Sequence, residues 1–334
     1  MTNTAPVATH PAFPVPGAIV VPPAPLEPPA GTPYQHLFRE PGRRWWRPLV
    51  SLAVFLGSYL VMALAPLVVV GIALIPVVMD QPMTEGALDL DLVALFQGWS
   101  GVGLNLAVNL LLAALIPAVL LANRVAHRIP SGYTHSVAGR FRWGWAATVV
   151  AVLVPVWAVY LAIGFVLEPV ALGVHRDSLA VTGALLAVVL LTTPLQSAGE
   201  EYFFRGWLLQ NIGVGIARPV VALVVPTAIS AAIFGLAHGS LDPWILVSLG
   251  ATSVAACYLT WRTGGLEAAV ALHSVNNVLI MGFLILSGTS LGSAMIDTTS
   301  TSTWLAAGLA IVFHGLAVLA VEWVARRRGI TATR

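Results

Sequence analysis

Glu200-Glu201-Tyr202-Phe203-Phe204-Arg205 closes an apolar run that begins near Leu179. Two adjacent carboxylates and an arginine stand there in a chain of which only 9% is charged. An ionisable group held in hydrocarbon costs at least about 2.5 kcal/mol, so such a cluster is read as a functional site by default. Ordinary solvated charges at a cytosolic helix end would explain this stretch equally well, so its surroundings have to decide.

The surroundings are a membrane protein. The chain has 334 residues, 58% of them hydrophobic. Several runs are long enough to span about 30 Å of hydrocarbon. They show no period-two alternation, which argues against a barrel. The expectation is an all-α polytopic membrane protein, a bundle of about eight transmembrane helices enclosing an intramembrane catalytic cavity. All 16 basic residues are arginine, and alanine is abundant, a usage that fits a GC-rich bacterial genome. The single cysteine, Cys257, excludes an intramolecular disulfide and any cysteine-built metal site, and reads as a small core residue.

Residues 1–38 are proline-rich and read as a disordered cytoplasmic tail, with the bundle over 39–334. There is no signal-peptide pattern. Arg39, Arg43, Arg44 and Arg47, with Trp45 and Trp46 among them, mark a cytoplasmic interface. The expected spans are 49–78, with a tilt or a break at Pro66 or Pro76, then 92–122, 143–167, 179 onward, 220–238, 244–261, 266–286 and 304–324. Asn105 and Asn109 share one helical face and read as interhelical hydrogen-bonding groups. Asp80, Glu85, Asp89 and Asp91 fall in one outer loop, and Glu168, His175, Arg176 and Asp177 in another. With both termini cytoplasmic, Arg176 is the only arginine in an outer loop, so the expected location is the plasma membrane in that orientation.

On a helix, Glu201 and Arg205 are four apart with the acid first, the better order for an ion pair. Glu200 is turned about 100° away, with Phe204 on its face and no partner four residues on. A carboxylate in such a setting is a candidate general base. Two later pairs share the character of this stretch: Phe234 with His238, and His273 with Asn277. A histidine such as His238, ending an apolar helix, is usually structural. His273 and Asn277 lie on one face near the middle of a span, where two polar groups are hard to explain as filler. Full crossings would leave Glu200 and His238 about 30 Å apart. They meet only if the fourth helix continues to about Leu209 and the fifth ends short of the outer surface. His314 and Glu322 match no motif and read as packing or interfacial groups.

Glu-Glu-x-x-x-Arg, Phe-x-x-x-His and His-x-x-x-Asn, in that order on successive spans and with Gly206 after Arg205, resemble the CAAX-prenyl-endopeptidase and bacteriocin-processing (CPBP) family of intramembrane proteases. The resemblance covers about residues 180–285. It implies that Glu200 and His238 activate a water, that His273 and Asn277 stabilise the oxyanion, and that Glu201 and Arg205 hold the first motif in shape. The family is commonly called a metalloprotease, and Glu200, His238 and His273 would be the zinc set. Glu200 cannot easily be both ligand and free base, so metal-independent chemistry is preferred. The expected partners are a membrane-associated peptide or protein substrate and the lipid bilayer, with no nucleic acid. The alternatives are a catalytically silent member acting in peptide binding or bacteriocin immunity, and a proton-coupled transporter. The transporter would want an internal repeat and ionisable groups through the full membrane depth, and the sequence has neither.

Overall fold

Away from water, a backbone must satisfy its own N–H and C=O groups, and long apolar runs do so by coiling into helices. The computed structural model describes residues 27–39, 44–80, 97–169, 172–173, 177–289, 291 and 300–334. Its main helices are α1 (Arg47–Asp80), α2 (Gly98–Ala113), α3 (Leu115–His127), α4 (Trp143–Leu167) and α5 (Leu179–Glu201). They continue with α6 (Val221–Ala237), α7 (Pro243–Thr263), α8 (Glu267–Ser287) and α9 (Trp304–Arg327). The described residues form no strand, only two isolated bridges. Seven stretches are long and apolar enough to cross a membrane, and α6, at 17 residues, is shorter. The protein is an all-helical polytopic membrane bundle.

Two features differ in detail from the expected spans, and a third meets the condition under which the motifs come together. α1 is one unbroken helix of 34 residues that passes through Pro66 and Pro76. The second span is interrupted at Ala114, between α2 and α3. The fourth runs without a break from α5 through a π-helix, Tyr202–Leu209, into a last turn at Gln210–Gly213, 35 residues in all. That extension, with the short α6, is what brings the first and second motifs to a common depth.

The break at Ala114 and Gly199 explain each other. A Cβ at position 199 would lie 2.0 Å from the Leu112 carbonyl oxygen and 2.7 Å from its carbon. Backbone packs on backbone here, immediately before Glu200. Gly199→Ala is therefore expected to cost about 1–3 kcal/mol through overpacking, read as a fall of several degrees in the thermal midpoint in detergent. A midpoint equal to that of the unaltered protein would show that the two helices do not meet this closely. Below this contact the same pair of spans is stitched by Asn109. Its amide donates to Asn105 Oδ1 (3.3 Å) and to Thr192 and Thr193 Oγ1 (2.8 and 3.1 Å) on α5.

One end of the bundle is closed by short segments. Gly31 N donates to the Arg334 carbonyl (2.8 Å) and Arg334 N to the Thr32 carbonyl (3.1 Å), so the first described residues and the last lie side by side. Arg39 bonds the carbonyls of Ile216 and Ala217 at the same end. The Glu267 carboxylate, fully buried at the start of α8, takes a two-pronged pair from Arg142 (2.9 and 2.7 Å). The disordered tail expected through residue 38 is corrected at its end. Tyr34, Leu37 and Phe38 are buried in the core, and the Tyr34 hydroxyl donates to the Thr134 carbonyl (2.6 Å). Three large apolar side chains repay the ordering of a short segment that proline content alone would leave loose. Residues 1–26, Arg43, the acidic loop with Glu85, Asp89 and Asp91, and His175 and Arg176 lie outside the described residues.

Candidate active site

α5 ends on Glu201, and the next eight residues wind as a π-helix, a form that occurs mostly in short pieces and often beside functional sites. The ion pair expected from the sequence spans this junction. Arg205 Nη1 donates to Glu201 Oε1 at 3.0 Å, and both side chains are fully buried. Arg205 Nη2 continues to the Ser253 carbonyl (2.8 Å) and hydroxyl (2.9 Å) on α7. The rings of Phe204 and Phe234 flank the guanidinium at 5.7 and 5.8 Å. A buried charge persists only when paired and hydrogen-bonded, and Arg205 is both.

Glu201 does a second thing that the spacing did not reveal. The same Oε1 accepts from His273 Nδ1 on α8 at 2.8 Å. An ionised carboxylate only accepts, so the Nδ1 proton is on the histidine and Nε2 is turned to the other side. There it meets Glu200, with Nε2 to Oε2 at 3.5 Å. Glu200 Oε2 has no hydrogen-bond partner, although its other oxygen accepts from Gln196 Nε2 at 2.7 Å. The core of the site is thus the part-buried Glu200 carboxylate, the buried His273 imidazole and the buried Glu201 carboxylate in line.

Asn277 joins through Gln196. Its Nδ2 donates to Gln196 Oε1 (3.2 Å) and to the Ser197 hydroxyl (3.3 Å). His238 stands further off, at the end of α6 and partly buried. Its Nδ1–H donates to the Phe234 carbonyl at 2.7 Å, which leaves Nε2 as an acceptor in the neutral ring. It makes no hydrogen bond or ion pair with Glu200, His273 or Asn277. The Phe234 ring connects them by packing, with centroids 4.6 Å from His238 and 5.9 Å from His273. After His238 the chain leaves the helix through Gly239 at φ +82°. It re-enters at Asp242, whose carboxylate caps Trp244 N and Ile245 N at 3.0 Å.

The zinc set of Glu200, His238 and His273 does not assemble. Among the described residues no three His, Cys, Asp or Glu side chains are grouped so as to hold a metal ion. His273 faces Glu200 with one nitrogen and is tied to Glu201 by the other, while His238 belongs to Phe234. His314 and Glu322 lie elsewhere. The His314 ring bonds Thr252 (3.0 Å) and the Ala310 carbonyl (2.7 Å), and Glu322 pairs with Arg262 and Arg326.

The sequence reading missed Gln196, Ser197 and Ser253. The first was within reach, because Gln196 lies four residues before Glu200 on the same face, where Gln–acid pairs are favourable. Ser253 comes from another span, and no local spacing announces it.

Residues 182–279 match the family described as type II CAAX prenyl endopeptidase Rce1-like. A stretch of 128 residues, 36% of this chain, is 28% identical to a Bacillus subtilis (strain 168) protein named uncharacterized protein YyaK. It spans 42% of that relative's length. No solved structure matches the chain. The segment that builds this site, from Gln196 to Asn277, lies within the residues that match the Rce1-like type II CAAX prenyl endopeptidase family.

Proposed function

We propose that the chain is an intramembrane endopeptidase of the CAAX-protease type, cutting a peptide bond of a membrane-associated peptide or protein. The observation that carries this reading is the Glu200–His273–Glu201 array, with Glu200 part-buried and its Oε2 unpartnered 3.5 Å from His273 Nε2. A water against Glu200 Oε2 gives up its proton there as its oxygen attacks the scissile carbonyl carbon. The carbonyl electron pair moves to oxygen. The resulting oxyanion is met by His273 Nε2–H, an imidazolium balanced by the two carboxylates, and by Asn277 Nδ2, which releases its longer bond to Ser197. Such donors are worth about 10²–10³-fold each. The C–N bond then breaks, its pair stays on nitrogen, and the Glu200 carboxyl returns the proton to the leaving amine. His238 Nε2 is the second acceptor for the attacking water.

The reading is metal-independent. It places the protein in the plasma membrane with both chain ends cytoplasmic. The pairing of Gly31–Thr32 with Arg334, beside loops rich in arginine, supports that orientation. A second reading is a catalytically silent relative that binds peptides or gives bacteriocin immunity. It is favoured by Asn277, both of whose amide hydrogens are already engaged.

The test is hydrolysis of a quenched fluorescent peptide library by detergent-purified protein, with and without a zinc chelator. Equal cleavage in both arms is expected. Loss of cleavage with chelator would replace the mechanism by a zinc-dependent one. No cleavage in either arm would favour the silent binding protein.

A further inference from the structure

Hydrogen bonds connect Glu200 to a tryptophan two helices away. On α4, the fully buried Trp157 donates from Nε1 to Asn276 Oδ1 at 2.8 Å. On α8, Asn276 Nδ2 donates to Asn277 Oδ1 at 2.9 Å. Asn277 Nδ2 donates to Gln196 Oε1 at 3.2 Å, and on α5 Gln196 Nε2 donates to Glu200 Oε1 at 2.7 Å. All four bonds point the same way.

The direction is dictated by chemistry. An indole N–H can only donate, and an ionised carboxylate can only accept. With those ends fixed, each amide between them has one orientation in which every oxygen meets a hydrogen. A flipped Asn276 would set its oxygen against that of Asn277, and a flipped Gln196 would set its oxygen against the carboxylate. Bonds aligned head to tail polarise one another, so each amide strengthens the donor at the next. The chain ends on the oxygen of Glu200 that does not face His273. It therefore holds the carboxylate so that Oε2, the unpartnered oxygen, is the one presented to His273 Nε2.

We propose that Gln196 and Asn276 are positioning residues. Together with Trp157 they form a one-way amide chain that orients the Glu200 carboxylate and ties it to Asn277. The catalytic meaning of this chain rests on the protease reading. Its existence as a device acting on Glu200 does not.

Two variants of matched shape test it, Gln196→Met and Asn276→Leu, the second at a side chain hydrogen-bonded to neither Glu200 nor His273. The primary readout is the carboxylate stretch of Glu200, isolated as the infrared difference between a protein and its Glu200→Gln counterpart. It is measured in each background after the thermal midpoint has shown the protein folded. The band is expected to shift in Gln196→Met and to shift less, in the same direction, in Asn276→Leu. A band unmoved by Gln196→Met would overturn the proposal. A band moved by Gln196→Met alone would overturn the chain, leaving one local bond. In turnover, Gln196→Met is expected to lower kcat about 100-fold, the size of effect a misplaced reacting group produces, with KM little changed. Equal losses in kcat and stability would mark a merely structural role and overturn it. A protein that cleaves nothing would defeat the protease reading, while the infrared band would still decide this one.

Discussion

Glu200→Gln is expected to lower peptide hydrolysis about 10²–10⁴-fold while leaving the protein folded. The substitution keeps shape and volume, and its carbonyl oxygen still accepts from Gln196 Nε2, now 2.7 Å from Oε1. The new amide nitrogen takes the place of Oε2 and, with the ring then neutral and its proton held on Nδ1 by Glu201, can donate to His273 Nε2, 3.5 Å away. Nothing in the packing is lost, so the thermal midpoint should stay within about 2 °C, which is less than about 1 kcal/mol for a chain of this size. What disappears is the capacity to take a proton from water. General-base catalysis contributes about 10²–10⁴-fold, so turnover should fall by about that much. The check is initial-rate hydrolysis of the best peptide from the library by matched preparations. Retention of a tenth or more of the rate would remove Glu200 from the mechanism.

Arg205→Met should do the reverse, striking stability first. The guanidinium is fully buried and engages Glu201 Oε1, the Ser253 carbonyl and the Ser253 hydroxyl. Removing it leaves the fully buried Glu201 carboxylate with His273 Nδ1 as its one remaining hydrogen-bond partner. Breaking a buried pair from one side costs about 3–5 kcal/mol. The midpoint of thermal unfolding should drop by about 10 °C. Removing both ends separates the two functions of Glu201. Glu201→Leu combined with Arg205→Met should recover much of the lost stability, because apolar replacement of a whole buried pair is often close to neutral. It should not recover turnover, because His273 Nδ1 has then lost the carboxylate that orients it. A single Arg205→Met variant that melts with the unaltered protein would show that the pair is not buried as described.

The spacing of the motifs carried much of this arrangement, and the limits of spacing explain the rest. Apolar run lengths located the helices because hydrocarbon thickness sets helix length. The four-residue interval of Glu201 and Arg205 located the pair because neighbours on a helix face are local in sequence. The extension of α5 to Gly213 and the shortness of α6 were legible only as the condition under which three motifs could meet. The tie between Glu201 and His273 was not legible, since it crosses 72 residues between two spans. Nor was the π-helix at Tyr202–Leu209, which changes the register in which side chains after Glu201 are presented. Gln196 was missed for a simpler reason. Partners for Glu200 were sought toward Phe204, and the one it uses lies a turn earlier. The proline-rich tail was carried too far for the opposite reason, because composition averaged over 38 residues hides the aromatic end that packs.

The i, i+4 ion pair also bears on how such a protein gets into its membrane. Helices enter the bilayer from the translocon before they have all found their neighbours. A lone central Arg or Asp then costs about 2.5–3.5 kcal/mol on the insertion scale. The span from Leu179 to Gly213 brings its own compensation. Arg205 arrives already neutralised by Glu201, and Glu200 arrives with an amide donor from Gln196, all on one continuous helix. The Glu201–Arg205 pair is internal to this helix and does not wait for α8, whereas Glu200 Oε2 meets its facing group only when His273 arrives. His273 then docks onto a carboxylate that is already in place, so the order of synthesis and the order of site assembly coincide.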